Sequence, residues 1–166
     1  MKKPLLAYVA IGMALVAAAI AILLYATRGA HIDLRGKILK VRTLPIEASS
    51  FLAIIDFRFV NPSDYPFVVR KVDVLLGDDS GTRVESSPVS EVDARRLFEY
   101  YPILGPKYNE TLTIRTKVGS RQSMDRMIAV RFDVPVSELE HRKNLLVRVE
   151  DVDGAVSEIT GDAKNR

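Results

Sequence analysis

Residues 5–25 form an apolar run of 21 residues without one charged side chain. At about 1.5 Å of rise per residue, a helix of that length is roughly 30 Å long, the thickness of the hydrocarbon core of a bilayer. A helix apolar on every face is a poor core element for so small a protein, because only lipid or protein on all sides would cover it. Two readings compete with a buried helix. A cleaved signal peptide is supported by the Met1-Lys2-Lys3-Pro4 start and by small residues at Ala17-Ala18-Ala19. An uncleaved anchor is favoured, because the apolar run continues through Ile22, Leu23, Leu24 and Tyr25, where a cleavage region is normally more polar. The expected organisation is a transmembrane anchor over residues 1–28, a β-rich domain over 29–160 and a polar tail over 161–166.

Orientation follows less directly. Arg28, Arg35, Lys37, Lys40 and Arg42 follow the run and, counted literally, keep the domain on the cytoplasmic side. Those charges fall within an expected strand, and long domains translocate regardless of charge. The Lys-Lys start resembles bacterial export signals, so the expected location is the bacterial inner membrane, single-pass, with the C-terminal domain outside the cytoplasm. Ala10, Ala14 and Ala18 recur every four residues, a spacing that lets two membrane helices approach closely. The expected partners are therefore the lipid bilayer, a protein of the membrane or envelope, and a second copy of the chain through that alanine face.

About 140 residues follow the run, enough for one domain with a real core. Setting aside Lys2 and Lys3 leaves 22 basic side chains against 21 acidic ones. No basic stripe runs through the main body, so no nucleic-acid partner is expected. Cysteine is absent, which excludes disulfides and thiolate metal sites.

After residue 50 hydrophobicity alternates with period two. Phe51, Ala53, Ile55, Phe57 and Phe59 share one strand face, with Asp56 and Arg58 on the other. Similar runs centre on Val68–Leu76, Leu112–Val118, Ile128–Val134 and Leu145–Val149. An earlier strand covers about Ile32 to Leu44, where the parity slips and Gly36 could mark a bulge. Runs with one apolar and one polar face argue for antiparallel sheets packed apolar face to apolar face. The fold class expected is all-β: an immunoglobulin- or fibronectin-III-like antiparallel β-sandwich of about seven strands, with one or two short helices, preceded by a single transmembrane helix.

Asn61-Pro62-Ser63-Asp64-Tyr65-Pro66 breaks a strand, because proline offers no amide donor. Gly77–Gly81 reads as a hairpin loop, and Asp153-Gly154 as a tight type I′ hairpin before a last strand near Ala155–Ile159. Ser90 with Asp93 resembles a capping box and opens a helix over Glu91–Tyr101; Ser137 with Glu140 repeats the signal. Leu97, Tyr100, Tyr101 and Leu104 could then cover an open edge of the sandwich. Arg95, Arg96, Phe98, Tyr100 and Tyr101 are a candidate interface, because basic and aromatic side chains together suit a membrane surface. The same spacing suits a lid with its aromatics inward, and the lid is favoured.

The strand ending in Val60-Asn61-Pro62, the Tyr65-Pro66-Phe67-Val68-Val69 that opens the next strand, its end at Val74-Leu75-Leu76-Gly77 and the later Thr111-Leu112-Thr113-Ile114 together resemble the second type of late embryogenesis abundant protein, the water-stress and hypersensitive-response (WHy) domain. The likeness covers about residues 32–155. Ser63 stands where the family commonly has a second Asn, and the expected helix at 91–101 is an insertion. The resemblance implies a fibronectin-III-like sandwich, an association with desiccation or stress protection and, in some members, with membrane lipids. It supplies no catalytic residues.

The chemistry of the chain points the same way. His31 and His141 have no partners at metal-ligand spacing, and Asp151-Val152-Asp153-Gly154 lacks the rest of a calcium loop. Asp78 and Asp79 suit a solvated turn. No nucleophile elbow and no phosphate-binding glycine loop is present; Asn109-Glu110-Thr111 fits a glycosylation sequon by spacing alone. No catalytic residue, no metal and no cofactor is expected. The functional expectation is a non-enzymatic, membrane-anchored module that binds or stabilises, in envelope or water-stress protection. The alternative is an accessory subunit of a membrane protein complex.

Overall fold

The computed structural model describes residues 3–27, 33–77, 83–142 and 144–161; within 3–27, side-chain surroundings are described for Tyr8 and 11–22. The chain divides into two compact units, Met1–His31 and Ile32–Arg166.

In the first unit the apolar run forms helix α1, Lys3–Thr27. The expected membrane span is corrected here: among the described residues no helix is long and apolar enough to cross a membrane.

The second unit is mostly β. Its strands are β1 Arg35–Glu47, β2 Ser50–Val60, β3 Phe67–Gly77, β4 Arg83–Ser86, β5 Lys117–Val118, β6 Ser123–Phe132, β7 Asn144–Asp151 and β8 Val156–Gly161. Its helices are α2 Glu91–Tyr100 and the short α3 Val136–Glu140, and a 3-10 turn spans Pro102–Leu104.

The expected pair of separate antiparallel sheets gives way to one continuous eight-stranded sheet: seven strands follow the path β4-β3-β7-β8-β1-β2-β6, and β5 attaches to β3 off it. The path curls into a half-barrel. Its seam is β1, which runs antiparallel to β2 along most of its length and parallel to β8 at Lys37↔Thr160. Two glycines allow that approach. A Cβ at Gly36 would collide with the backbone carbonyl of Arg58, and one at Gly161 would sit 2.9 Å from Ile38 Cδ1. The parity slip in β1 is a bulge between Ile38 and Lys40, two residue pairs beyond Gly36. It buries Ile38 and turns Leu39 outward.

Inside the curl lies the main core. Phe51, Phe57 and Phe59 of β2 and Ile128, Val130 and Phe132 of β6 meet Val69, Val74 and Leu76 of β3 and Val147 and Val149 of β7. Phe51 stacks on Phe132 with ring centroids 5.3 Å apart. A second, smaller core lies on the outer face of β2 and β6, where Leu52, Ile54, Met127 and Ala129 pack under Ala94 and Leu104. Leu97 and Phe98 complete it from α2.

The expected strand at Leu112–Val118 is mostly not a strand. Only Lys117–Val118 pairs, with Phe67 and Val68. Thr116 N–H donates to Thr113 O at 3.1 Å, and Arg115 takes a φ of 69°, so the alternation is cut by a turn that leaves Ile114 66 % exposed. Ser90 forms the N-cap, its side chain accepting from Asp93 N–H and donating to Asp93 Oδ2. The second capping signal is replaced: α3 starts after Pro135, without a side-chain cap. The β7–β8 turn places only Gly154 at positive φ, at 86°, so it is not the type I′ turn expected, which needs two such residues. His31, Asp78 and Asp79 lie outside the described residues.

Candidate functional site

The two ends of the strand path approach each other without pairing as strands. Residues 86–89, just past β4, reach β6: Val89 N–H donates to Ala129 O at 2.8 Å, Pro88 lies opposite Val130, and Ser86 Oγ donates to Arg131 O. Two residues along β6, Met127 is held by the other arm: its N–H donates to Glu110 O at 2.9 Å and its carbonyl accepts from Leu112 N–H at 2.8 Å. Between these arms, and facing β3, opens a cleft of about 410 Å³.

Its lining is mainly apolar. Val72 of β3, Pro88, Val89 and Leu112 form the inner surface, with Ile114 at the rim. Ser87, Thr111 and Thr113 add hydroxyls, and Lys71 and Glu91 add charges. Both charges are engaged. Lys71 Nζ lies 2.6 Å from Asp73 Oδ2 and 3.7 Å from Glu85, and Glu91 lies 3.6 Å from Arg95. The hydrogen bond to Asp73, with its charge, holds the Lys71 ammonium above its ordinary value. Ser87 Oγ donates to Asp73 Oδ1 at 3.3 Å, Ser90 Oγ donates to Asp93 Oδ2 at 2.7 Å, and no histidine lines the cleft. Thr111 is 7 % exposed, and its Oγ1 has no hydrogen-bond partner. The arrangement can accept an apolar group and offer hydroxyls to a polar end.

The candidate interface residues lie outside the cleft lining, on different sides of α2 and just beyond it. Arg95 and Arg96 pair with Glu91 and Asp93 along the exposed side of α2. Phe98 turns inward onto the second core, Tyr100 is 76 % exposed, and Tyr101 is 42 % exposed. The inward residues are therefore Ala94, Leu97, Phe98 and Leu104, and they cover a sheet face rather than an edge. Of the alanine stripe, Ala14 and Ala18 are exposed on α1, and the Ala10 side chain lies outside the described residues. His141 is exposed at the end of α3, with Nδ1 2.8 Å from Ser137 O. Among the described residues no three acidic or histidine side chains converge as a metal site would require.

A second centre had no counterpart among the expected sites. Arg42 of β1 is 10 % exposed and lies 2.7 Å from Asp56 of β2. Its Nη1 donates to Leu104 O at 2.7 Å and Pro106 O at 2.9 Å. Its guanidinium lies over the rings of Phe98 and Tyr108, 5.2 and 5.3 Å from their centroids. Asn109 Nδ2 donates to the other Asp56 oxygen at 2.8 Å. One signal for this centre was present in the sequence: Leu52 and Ile54 are apolar on the face that Asp56 and Arg58 mark as polar, so part of β2 had to be covered on both faces.

No family model matches the chain, and no curated protein matches it. Among solved structures it is similar to a candidate lipoprotein, ycdA, from Bacillus subtilis, at 12 % identity and a TM-score of 0.47, over 82 % of this chain and 38 % of that one. It is also similar to the structural-genomics target SoR45, at 7 % identity and a TM-score of 0.34, over 78 % of this chain and 79 % of that one. The chain thus spans well under half the length of the first. No family model supports the late embryogenesis abundant or WHy assignment or the stress-response role drawn from it, and that assignment is withdrawn. Withdrawn with it are the signal-anchor and the single-pass inner-membrane location, since no helix among the described residues can span a bilayer.

Proposed function

We propose that the β-rich unit is a non-enzymatic binding module and that the cleft between residues 87–91 and 111–114 is where it binds. The observation that carries this reading is the cleft itself: an open, apolar-lined space of about 410 Å³ at the unpaired ends of the sheet path. Its size falls within the range of about 300–1,000 Å³ usual for small-molecule sites. Its apolar surface with a few hydroxyls suits an apolar group with one polar end, and its charged side chains are already neutralised by neighbours. Titration with the apolar fluorophore anilinonaphthalene sulfonate tests it. Binding should saturate at one site per chain and be lost in Ile114→Asp, which places a charge at the rim without touching the core. Binding that survives that substitution would place the site elsewhere.

A second reading, an accessory subunit of a larger assembly, rests on a different observation. Along α1, Ile11, Met13, Leu15, Val16, Ile20 and Ile22 are all between 53 and 69 % exposed, so this unit presents a run of apolar side chains. Exposed apolar surface of that extent marks an interaction site. Crosslinking in cells should capture a discrete partner through α1, and Ala14→Ile should alter the yield. A monomer-only pattern in both chains counts against this reading.

A further inference from the structure

We propose that residues 90–109 form a strap that opens and closes as one unit over the outer face of β2 and β6, with Arg42 as its latch. The strap leaves β6 at Val89, bonded to Ala129, and returns at Glu110 and Leu112, bonded to Met127. Its two ends therefore sit two residues apart on one strand, so the whole segment can lift without breaking any pair of the sheet. Helix α2 and the 3-10 turn lie within it and pair with no strand. A helix of 10 residues is marginal by itself and holds its shape here through docking.

The docking contacts converge on one side chain. Phe98 in α2, the carbonyls of Leu104 and Pro106 after the 3-10 turn, and the Tyr108 ring all meet the Arg42 guanidinium. Asn109 meets Asp56, the carboxylate that Arg42 also holds. Four stretches of the strap are thus tied to two residues of the β1–β2 hairpin. The planar fork matters, because a lysine in its place could not bond Asp56 and two carbonyls while stacking between two rings. Of the three guanidinium nitrogens of Arg42, Nε lacks a partner. Lifting the strap bares Leu52, Ile54, Met127 and Ala129, a second apolar surface that the closed form hides. Both walls of the cleft are attached to the strap's ends, so its opening also changes the cleft. The strap inference does not rest on the binding reading, since opening is measurable with the cleft empty.

Hydrogen–deuterium exchange of the full chain tests it, comparing native protein with Arg42→Lys. Amides of α2 and those of Tyr101, Leu104 and Gly105 should exchange about tenfold faster in the variant, while those of β3 and β7 keep their rates. Unchanged strap amides, or β3 and β7 accelerating equally, would overturn the proposal. If Arg42→Lys does not fold, the native chain in sub-denaturing urea decides. Strap amides should then open together with a smaller urea dependence than β7; exchange of the strap only through global unfolding overturns the latch.

Discussion

Single side chains in this protein do work that their sequence neighbours do not announce. Asn61 is fully buried at the end of β2 and closes the turn that follows. Its Nδ2 donates to Tyr65 O at 2.7 Å and Gly119 O at 3.1 Å, and its Oδ1 accepts from Ser63 N–H and Oγ at 3.0 and 2.8 Å. Asn61→Ala strands these groups and should cost about 1–3 kcal/mol, read as a lower urea midpoint with an unchanged slope. The Asn-Pro pair is therefore explained by loop geometry, which any β-protein can use, so by itself it marks no family. Arg58 and Asp125 form a two-pronged pair across β2 and β6, at 2.6 and 2.7 Å. Hydrogen bonding from Arg58, then its charge, holds the Asp125 carboxyl below its ordinary value. A depressed carboxyl stabilises the fold above its unfolded pKa, and that contribution is lost as pH falls through the folded value. Asp125→Asn should thus be less stable than the native chain at neutral pH, and the difference should shrink in acid below about pH 4, as urea melts at several pH values will show. The pair is exposed, so the effect is small.

At the scale of elements, the seam and the strap carry the fold's individuality. Gly36 sits where β1 presses on β2 while also pairing with β8. Gly36→Val forces backbone against backbone and should cost about 1–3 kcal/mol, seen as a fall in Tm. Ser90 caps α2, and Ser90→Ala should cost about 1 kcal/mol at most at the local level, raising exchange in α2 before any global change. Most of the strands and this capped helix were legible in the sequence because alternation and capping are local. The Leu112–Val118 run was misread for the same reason. Its alternation is real, but Ile114 points to solvent and Arg115 turns the chain, so periodicity counted residues that share no sheet. Arg42 and its partners were not legible. Asp56, Phe98, Leu104 and Tyr108 are brought to it from up to 66 positions away, by packing that no window of sequence contains.

At the scale of the whole molecule, each unit can be judged separately. Among the described residues, both apolar cores draw their members from residue 34 onward. A fragment of residues 32–166 should therefore fold with a urea midpoint close to that of the full chain, measured by circular dichroism. A large loss of stability in the fragment would mean that α1 supports the core.

What the sequence determined by itself is the local repertoire: an apolar helix at the start, strands with one greasy face, a capped helix at 91, and turns wherever proline, asparagine and glycine deny the ladder its donors. Those outcomes depend on residues within a few positions of one another. Only the tertiary structure decided that the strands join in one curled sheet through β1 and that a strap crosses β2 and β6 under Arg42. It also decided that a cleft opens between the ends of the path. These depend on which distant backbones approach closely enough to bond, and that approach is set by the balance of packing over the whole unit.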